Sequence, residues 1–271
     1  MPVISRAPCR TPHHSTRNPK ETPAVLTQSV AISRFSAFAA ALVAALLLIP
    51  TAGAADLPDP DDKSLTGGER VEALMERVRH AQKGIETLQA DFVQRQESSM
   101  LLEPEVSEGT FSYVAPESVR WEYSRPKPIS VVIDGQEMTT WYRDLERAER
   151  LKVGRYSNQV LKYLGASGSL DSLMEYFRVT VRFPEADDAS EPYRIDLKPR
   201  YDRVARRLKS MTVWVDHERF LPVGLRYEAA DGDVTEYEFR DMKLNAEIPD
   251  ELFVLEMPAE VEVREIDLNR S

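Results

Sequence analysis

The sequence predicts a mainly β protein with a small helical component (α+β): an antiparallel meander of roughly nine to eleven strands joined by short turns. Three observations predict it. From Ala90 onward the apolar residues fall on alternate positions, the period of a half-buried strand. Asp134-Gly135 and Asp231-Gly232 are hairpin-type turns, and Asp216-His217-Glu218 reads as a third. One long amphipathic helical pattern precedes all of this.

The chain opens with a segment outside that meander. Residues 1–34 are rich in Pro, Ser, Thr and Arg, with Arg6, Arg10, Arg17, Lys20 and Arg34 against the single acid Glu21. Phe35 to Ile49 is an uncharged apolar run, followed by Pro50 and the small residues Ala52-Gly53-Ala54-Ala55. A basic flank, an apolar centre and a small-residue exit make residues 1–55 a secretory signal peptide with a long basic extension, cleaved near Ala54 or Ala55. The apolar run falls short of the ~20 residues a spanning helix needs. The one cysteine, Cys9, lies within this segment, so the exported chain depends on its core and not on disulfides.

The chain holds 35 Lys and Arg against 45 Asp and Glu; setting aside the five bases and one acid of residues 1–55 leaves 30 against 44, a formal charge of −14. Such a balance argues against nucleic acid and anionic headgroups as ligands, because both require a basic footprint. Residues 56–67 (DLPDPDDKSLTG) read as a flexible acidic leader, and 68–271 as a single domain.

Ser64 to Gly84 reads as one helix. Val71, Leu74, Met75, Val78 and Ala81 recur at three- and four-residue spacing, charged residues fill the other face, and Gly84 ends it. Alternation begins at Ala90–Gln94. The expected strands are Val106–Val114, Val119–Tyr123, Ile129–Ile133, Met138–Tyr142, Arg178–Phe183, Tyr193–Leu197, Leu208–Val215, Pro222–Tyr227 and Val234–Leu244. Between them, Tyr156 to Phe177 carries two short apolar-faced helical patterns around Gly165-Ala166-Ser167-Gly168. Helices this short must pack on something, so they read as a cap.

Catalytic equipment does not assemble. The exported chain has two histidines, His80 on the helix and His217 in a turn without a second His or Cys to complete a zinc site. Ser167 lacks the strand–elbow–helix context of a hydrolase nucleophile. The cluster Arg203, Arg206, Arg207 and Lys209 reads as a solvated loop. No catalytic residue, metal ligand or cofactor is assigned. The apolar faces are more informative: Phe111 with Tyr113; Val119, Trp121 and Tyr123; Ile129, Val131 and Ile133; Val223, Leu225 and Tyr227; Tyr237 with Phe239. They must close over a common interior. That interior is either a filled core or a cavity for an apolar ligand.

The motif Leu88-Gln89-Ala90-Asp91-Phe92-Val93-Gln94 after the helix resembles the start of the LolA family, carriers of outer-membrane lipoproteins. The resemblance continues through Gly109-Thr110-Phe111, Pro116, Arg120-Trp121-Glu122-Tyr123, Pro126, Asp134-Gly135, Trp141-Tyr142 and Phe253 to Pro258, covering roughly residues 70–260. It implies an unclosed antiparallel half-barrel of about eleven strands with helices over its concave face, enclosing a cavity for the acyl chains of a lipoprotein. It further implies a periplasmic, non-enzymatic carrier, acting as a monomer between an inner-membrane lipoprotein-releasing ABC transporter and an outer-membrane receptor lipoprotein. On this basis Phe92, Phe111, Tyr113, Val119, Trp121, Tyr123, Ile129, Val131, Ile133 and Trp141 are expected to line the cavity, and Leu161, Leu164, Leu173 and Met174 to form the lid. The family's lid-latching arginine before the proline is replaced by Ala115, leaving Arg120 and Arg125 as substitute latches. The same fold also serves carriers of other lipids or glycolipids and lipoprotein-sensing regulators, which stand as alternatives.

Overall fold

The computed structural model describes residues 57–116, 118–134, 137–152, 175–184 and 191–266. Helix α1 (Gly67–Lys83) starts at a capping box, in which Thr66 and Glu69 each bond the other's backbone N–H, and ends at Gly84. Its buried stripe includes Leu74, Met75 and Val78, the residues whose spacing predicted it.

The strands are β1 (Thr87–Glu97), β2 (Glu105–Val114), β3 (Ser118–Arg125), β4 (Ile129–Asp134), β5 (Glu137–Tyr142), β6 (Arg147–Lys152), β7 (Phe177–Arg182), β8 (Tyr193–Pro199), β9 (Leu208–Val215), β10 (Pro222–Ala229), β11 (Val234–Leu244) and β12 (Glu262–Ile266). They form one sheet in the order β12-β6-β5-β4-β3-β2-β1-β11-β10-β9-β8-β7. Each expected strand from β1 to β5 and β7 to β11 is present within a few residues of its predicted bounds. Two were not expected, β6 and β12, and they pair in parallel with each other while every other pair is antiparallel. The edge strands β7 and β12 do not meet, so the sheet is unclosed.

The sheet curls strongly. β3 and β11 are separated by two strands, which in a flat sheet would place them about 14 Å apart. Yet the Trp121 and Tyr237 rings approach to 5.3 Å between centroids, and Tyr237 is hydrogen-bonded to Tyr123. Such contacts require the strands to wrap around a shared interior. Phe92, Phe111 and Trp121 meet Tyr237 and Phe239 there edge-on and tilted, geometry favoured by the ring quadrupole, while Tyr237 and Phe239 stack on each other. Leu74, Met75 and Val78 of α1 belong to the same buried cluster, so the helix lies over this inner face.

The outer face is also covered in one place. Val132 packs with Ile248 and Phe253, flanked by Val114, Leu252 and Leu255, so the segment after β11 crosses outside β3 and β4. The leader differs from expectation: residues 57–66 are tied down. Arg77 donates to the carbonyls of Leu57 (2.8 Å) and Pro58 (2.7 Å), Arg70 to that of Pro60 (2.7 Å). Asp61 accepts from the Tyr193 hydroxyl at 2.5 Å and contacts His217 Nε2 at 2.7 Å. The acidic residues that suggested a solvated leader are in part its anchors.

Candidate functional site: the inner face of the half-barrel

The inner face is assembled row by row from the strand register, because directly opposed residues in a sheet project to the same side. One row runs Ala90, Phe111, Trp121, Val131, Thr140 and Glu149; the next runs Phe92, Gly109, Tyr123, Ile129, Tyr142 and Arg147; a third runs Leu88, Tyr113, Val119, Ile133, Met138 and Leu151. Phe92, Phe111, Tyr113, Val119, Trp121, Tyr123, Val131 and Ile133 are all buried in one continuous cluster, with Ile129 half-buried against it. The structure therefore brings nine of the ten expected lining residues to one surface. Among the described residues they pack against each other and against α1.

Trp141 is the exception. It stands opposite Ser130 and Ala148, one position out of phase with Val131 and therefore on the outer face. There its ring lies 4.6 Å beneath the Arg143 guanidinium. The residues of β5 that do face inward are Met138, Thr140 and Tyr142, all buried. Alternation in Met138-Thr139-Thr140-Trp141-Tyr142 offered this reading, but each face carries one large aromatic and the pattern alone does not choose.

Neither proposed latch points at the interior as a free cation. Arg120 lies opposite Val132 on the outer face, bound to Glu122 Oε2 (2.6 Å) and to the Leu252 carbonyl (2.5 Å). Glu122 also accepts from Ser130 (2.8 Å) and Arg143 (2.5 Å). Burial opposes ionisation of Glu122, but the hydrogen bonds from Arg143, Ser130 and Arg120 outweigh it and hold its pKa below the usual value. Arg125 is exposed and pairs with Glu108. Ala115 donates its backbone N–H to the Glu86 carbonyl at 2.8 Å. Leu161, Leu164, Leu173 and Met174 lie outside the described residues, as does the expected signal peptide, residues 1–55.

A hollow opens at one end of the inner face, lined by Gln94, Gln96, Glu105, Ser107, Tyr123, Pro126, Lys127 and Ile129. Its polar residues come from the last turns of alternation in β1 and β2, where Gln94 opposes Ser107 and Gln96 opposes Glu105. The inner face thus passes from an aromatic floor to a polar rim at this end and to Arg147 and Glu149 at the β6 edge. The sequence reading missed both polar ends. No group of three or more His, Cys, Asp or Glu residues able to hold a metal occurs among the described residues, and no helix among them is long and apolar enough to cross a membrane.

Comparison with known proteins places this architecture. Residues 83–256 match the family described as outer membrane lipoprotein carrier protein LolA. The outer-membrane lipoprotein carrier protein of Alkalilimnicola ehrlichii is 30% identical over 192 residues, spanning 67% of this chain and 78% of that one. The protein of the same name from Halorhodospira halophila is 26% identical over 175 residues, spanning 60% and 72%. Among solved structures, a LolA superfamily protein of Nitrosomonas europaea overlaps 68% of this chain and 97% of its own, at 14% identity and a TM-score of 0.34. With the family match covering most of the chain, from the end of α1 to the segment that packs outside β3 and β4, the protein belongs to the LolA family of outer-membrane lipoprotein carriers.

Proposed function

We propose that the protein is a periplasmic carrier that sequesters the acyl chains of lipoproteins against its inner face and moves them from the inner to the outer membrane. The observation that carries this reading is the continuous apolar inner face of an unclosed sheet, in a chain of the lipoprotein-carrier family. A closed barrel would fix its interior; a sheet with two separated edges can spread and admit a ligand between its floor and the helix above. Residues 1–55 direct export and are removed near Ala54 or Ala55. Cargo arrives from an inner-membrane ABC transporter and leaves to an outer-membrane receptor lipoprotein, with the carrier acting as a monomer.

No bond is made or broken in this cycle. Each methylene removed from water stabilises the complex by about 0.8 kcal/mol, so three acyl chains would bind irreversibly if nothing opposed them. Opposition is available here. Trp121 already contacts Phe92 and Phe111, and acyl chains must part these contacts and lift α1. The energy lost in separating the native contacts weakens net binding and allows release.

The test is extraction of the native protein from the cell envelope, followed by mass spectrometry of whatever co-purifies. In parallel, purified protein is added to spheroplasts and the medium assayed for released lipoproteins. Triacylated protein in the complex and release dependent on added carrier are expected. Protein that carries only phospholipid or nothing, and releases no lipoprotein, overturns the reading.

A further inference from the structure

The aromatic floor of the inner face ends in a charged pair. Beyond Val131 and Thr140 the row reaches Glu149, and beyond Ile129 and Tyr142 the adjacent row reaches Arg147. Both side chains are buried, Arg147 at 8% and Glu149 at 9% exposure. Arg147 Nη2 lies 3.2 Å from Glu149 Oε1, and its guanidinium sits 5.1 Å above the Tyr142 ring. The Tyr142 hydroxyl reaches Glu149 Oε2 at 3.5 Å. The Arg147 Nε and Nη2 nonetheless make no hydrogen bond among the described residues. A buried guanidinium with donors left over is costly to keep.

Anchoring the edge strand does not require these charges. β12 is held to β6 by its backbone pairing and by Arg150 with Glu265, while Glu262 and Arg264 satisfy each other at 2.8 Å. The parallel register puts Glu262 beside Arg147 and Arg264 beside Glu149. Two cations and two anions therefore border the apolar floor, and their charges sum to zero.

We propose that Arg147 is the subsite for the polar head of the cargo, its spare donors binding the ester and amide carbonyls of an N-acyl, S-diacylglyceryl cysteine, while Glu149 keeps its charge matched. The inference rests on the carrier reading above and adds what the head must be. Acyl chains lying along Trp121, Val131 and Ile129 bring their head carbonyls to Arg147, since Ile129 shares its row and Trp121 and Val131 share the adjacent row of Glu149. The charge balance selects the class of head. Neutral carbonyl oxygens accept from the guanidinium without disturbing Glu149. A phosphate anion binding Arg147 would displace Glu149 from its ion pair and leave that carboxylate buried and unmatched. The subsite thus favours a lipoprotein terminus over an anionic phospholipid.

The experiment measures binding of three probes to the purified protein: a synthetic tripalmitoyl-S-glyceryl-cysteinyl peptide, phosphatidylglycerol, and an apolar polarity-sensitive dye. The variants are Arg147→Met and the double substitution Arg147→Met with Glu149→Gln, the latter leaving no unpaired carboxylate. The wild type should prefer the lipopeptide to phosphatidylglycerol. Both variants should lose about tenfold or more in lipopeptide affinity, the scale of a lost charge-assisted hydrogen bond, and bind the dye as before. Unchanged lipopeptide affinity in the double variant overturns the proposal, as does a wild type that binds phosphatidylglycerol equally well. A wild type that binds the dye and neither lipid overturns the carrier reading itself and the subsite with it.

Discussion

Gly109 shows how little room single positions on this face allow. It stands in β2 between Phe92 of β1 and Tyr123 of β3. A Cβ built there would lie 2.0 Å from the Glu122 carbonyl oxygen and 2.9 Å from the Phe92 ring. The backbone oxygen has nowhere to go without breaking the β2–β3 ladder, so Gly109→Ala must bend the strand or expel the ring. Gly109→Ala is expected to destabilise the protein by about 1–3 kcal/mol, the usual scale of overpacking, measured by the shift in denaturant midpoint. A midpoint equal to wild type would mean that the ring does not seat over this glycine. The glycine was visible in the sequence as part of Gly109-Thr110-Phe111; that it serves an aromatic on the neighbouring strand was not, because the contact depends on the register. Trp141 fails for the same reason. Its residue type suited a greasy lining, and a single step in phase placed it outside.

At the scale of elements, the strands that could be read from the sequence are those whose two faces differ. β3 is the clearest, with Val119, Trp121 and Tyr123 inward and Arg120 and Glu122 outward. β6 (RAERLK) and β12 (EVREI) could not be read, because charges occupy both of their faces and their pairing is parallel between segments more than a hundred residues apart. β4 is buried on both faces, since the segment carrying Ile248 and Phe253 covers Val132 from outside. That cover is held by Arg120, which reaches the Leu252 carbonyl while its other nitrogens engage Glu122. Glu122→Gln should therefore loosen the outer cover, lowering stability at neutral pH by about 1–2 kcal/mol for a partly solvated charge-assisted network. The folded protein holds the Glu122 carboxyl below its ordinary value of 4.5. Its contribution is thus complete above that value and is lost as pH falls through the lower folded-state pKa. Denaturation curves of the two proteins should keep a constant gap from neutrality down to the carboxylate range, and the gap should close below it. A gap that is absent at neutral pH would mean that Glu122 does not hold the cover.

Over the whole molecule, one interior is closed by phenols drawn from distant parts of the chain. Tyr113 of β2, Tyr193 of β8, Tyr227 of β10 and Tyr237 of β11 are almost wholly buried. Burial pushes all four hydroxyls above the ordinary tyrosine value of 10.0, and at Tyr193 the hydrogen bond to Asp61 adds to it. Tyr193 also ties the leader to the sheet through Asp61, and all four rings belong to one buried cluster. Above pH 10 the unfolded chain releases these protons and the folded chain keeps them, so the folded state binds more. The stability they contribute is full below pH 10 and is lost as pH rises toward their folded values. Alkaline titration followed by phenolate absorbance should then show a late wave above pH 10. Tyr113, Tyr193, Tyr227 and Tyr237 ionise in that wave, in step with collapse of the β signal, because they reach water only when the half-barrel opens. A single smooth wave near pH 10 with the sheet intact would mean that these hydroxyls already meet solvent, and that the interior is far more open than its packing of Trp121, Tyr237 and Phe92 indicates.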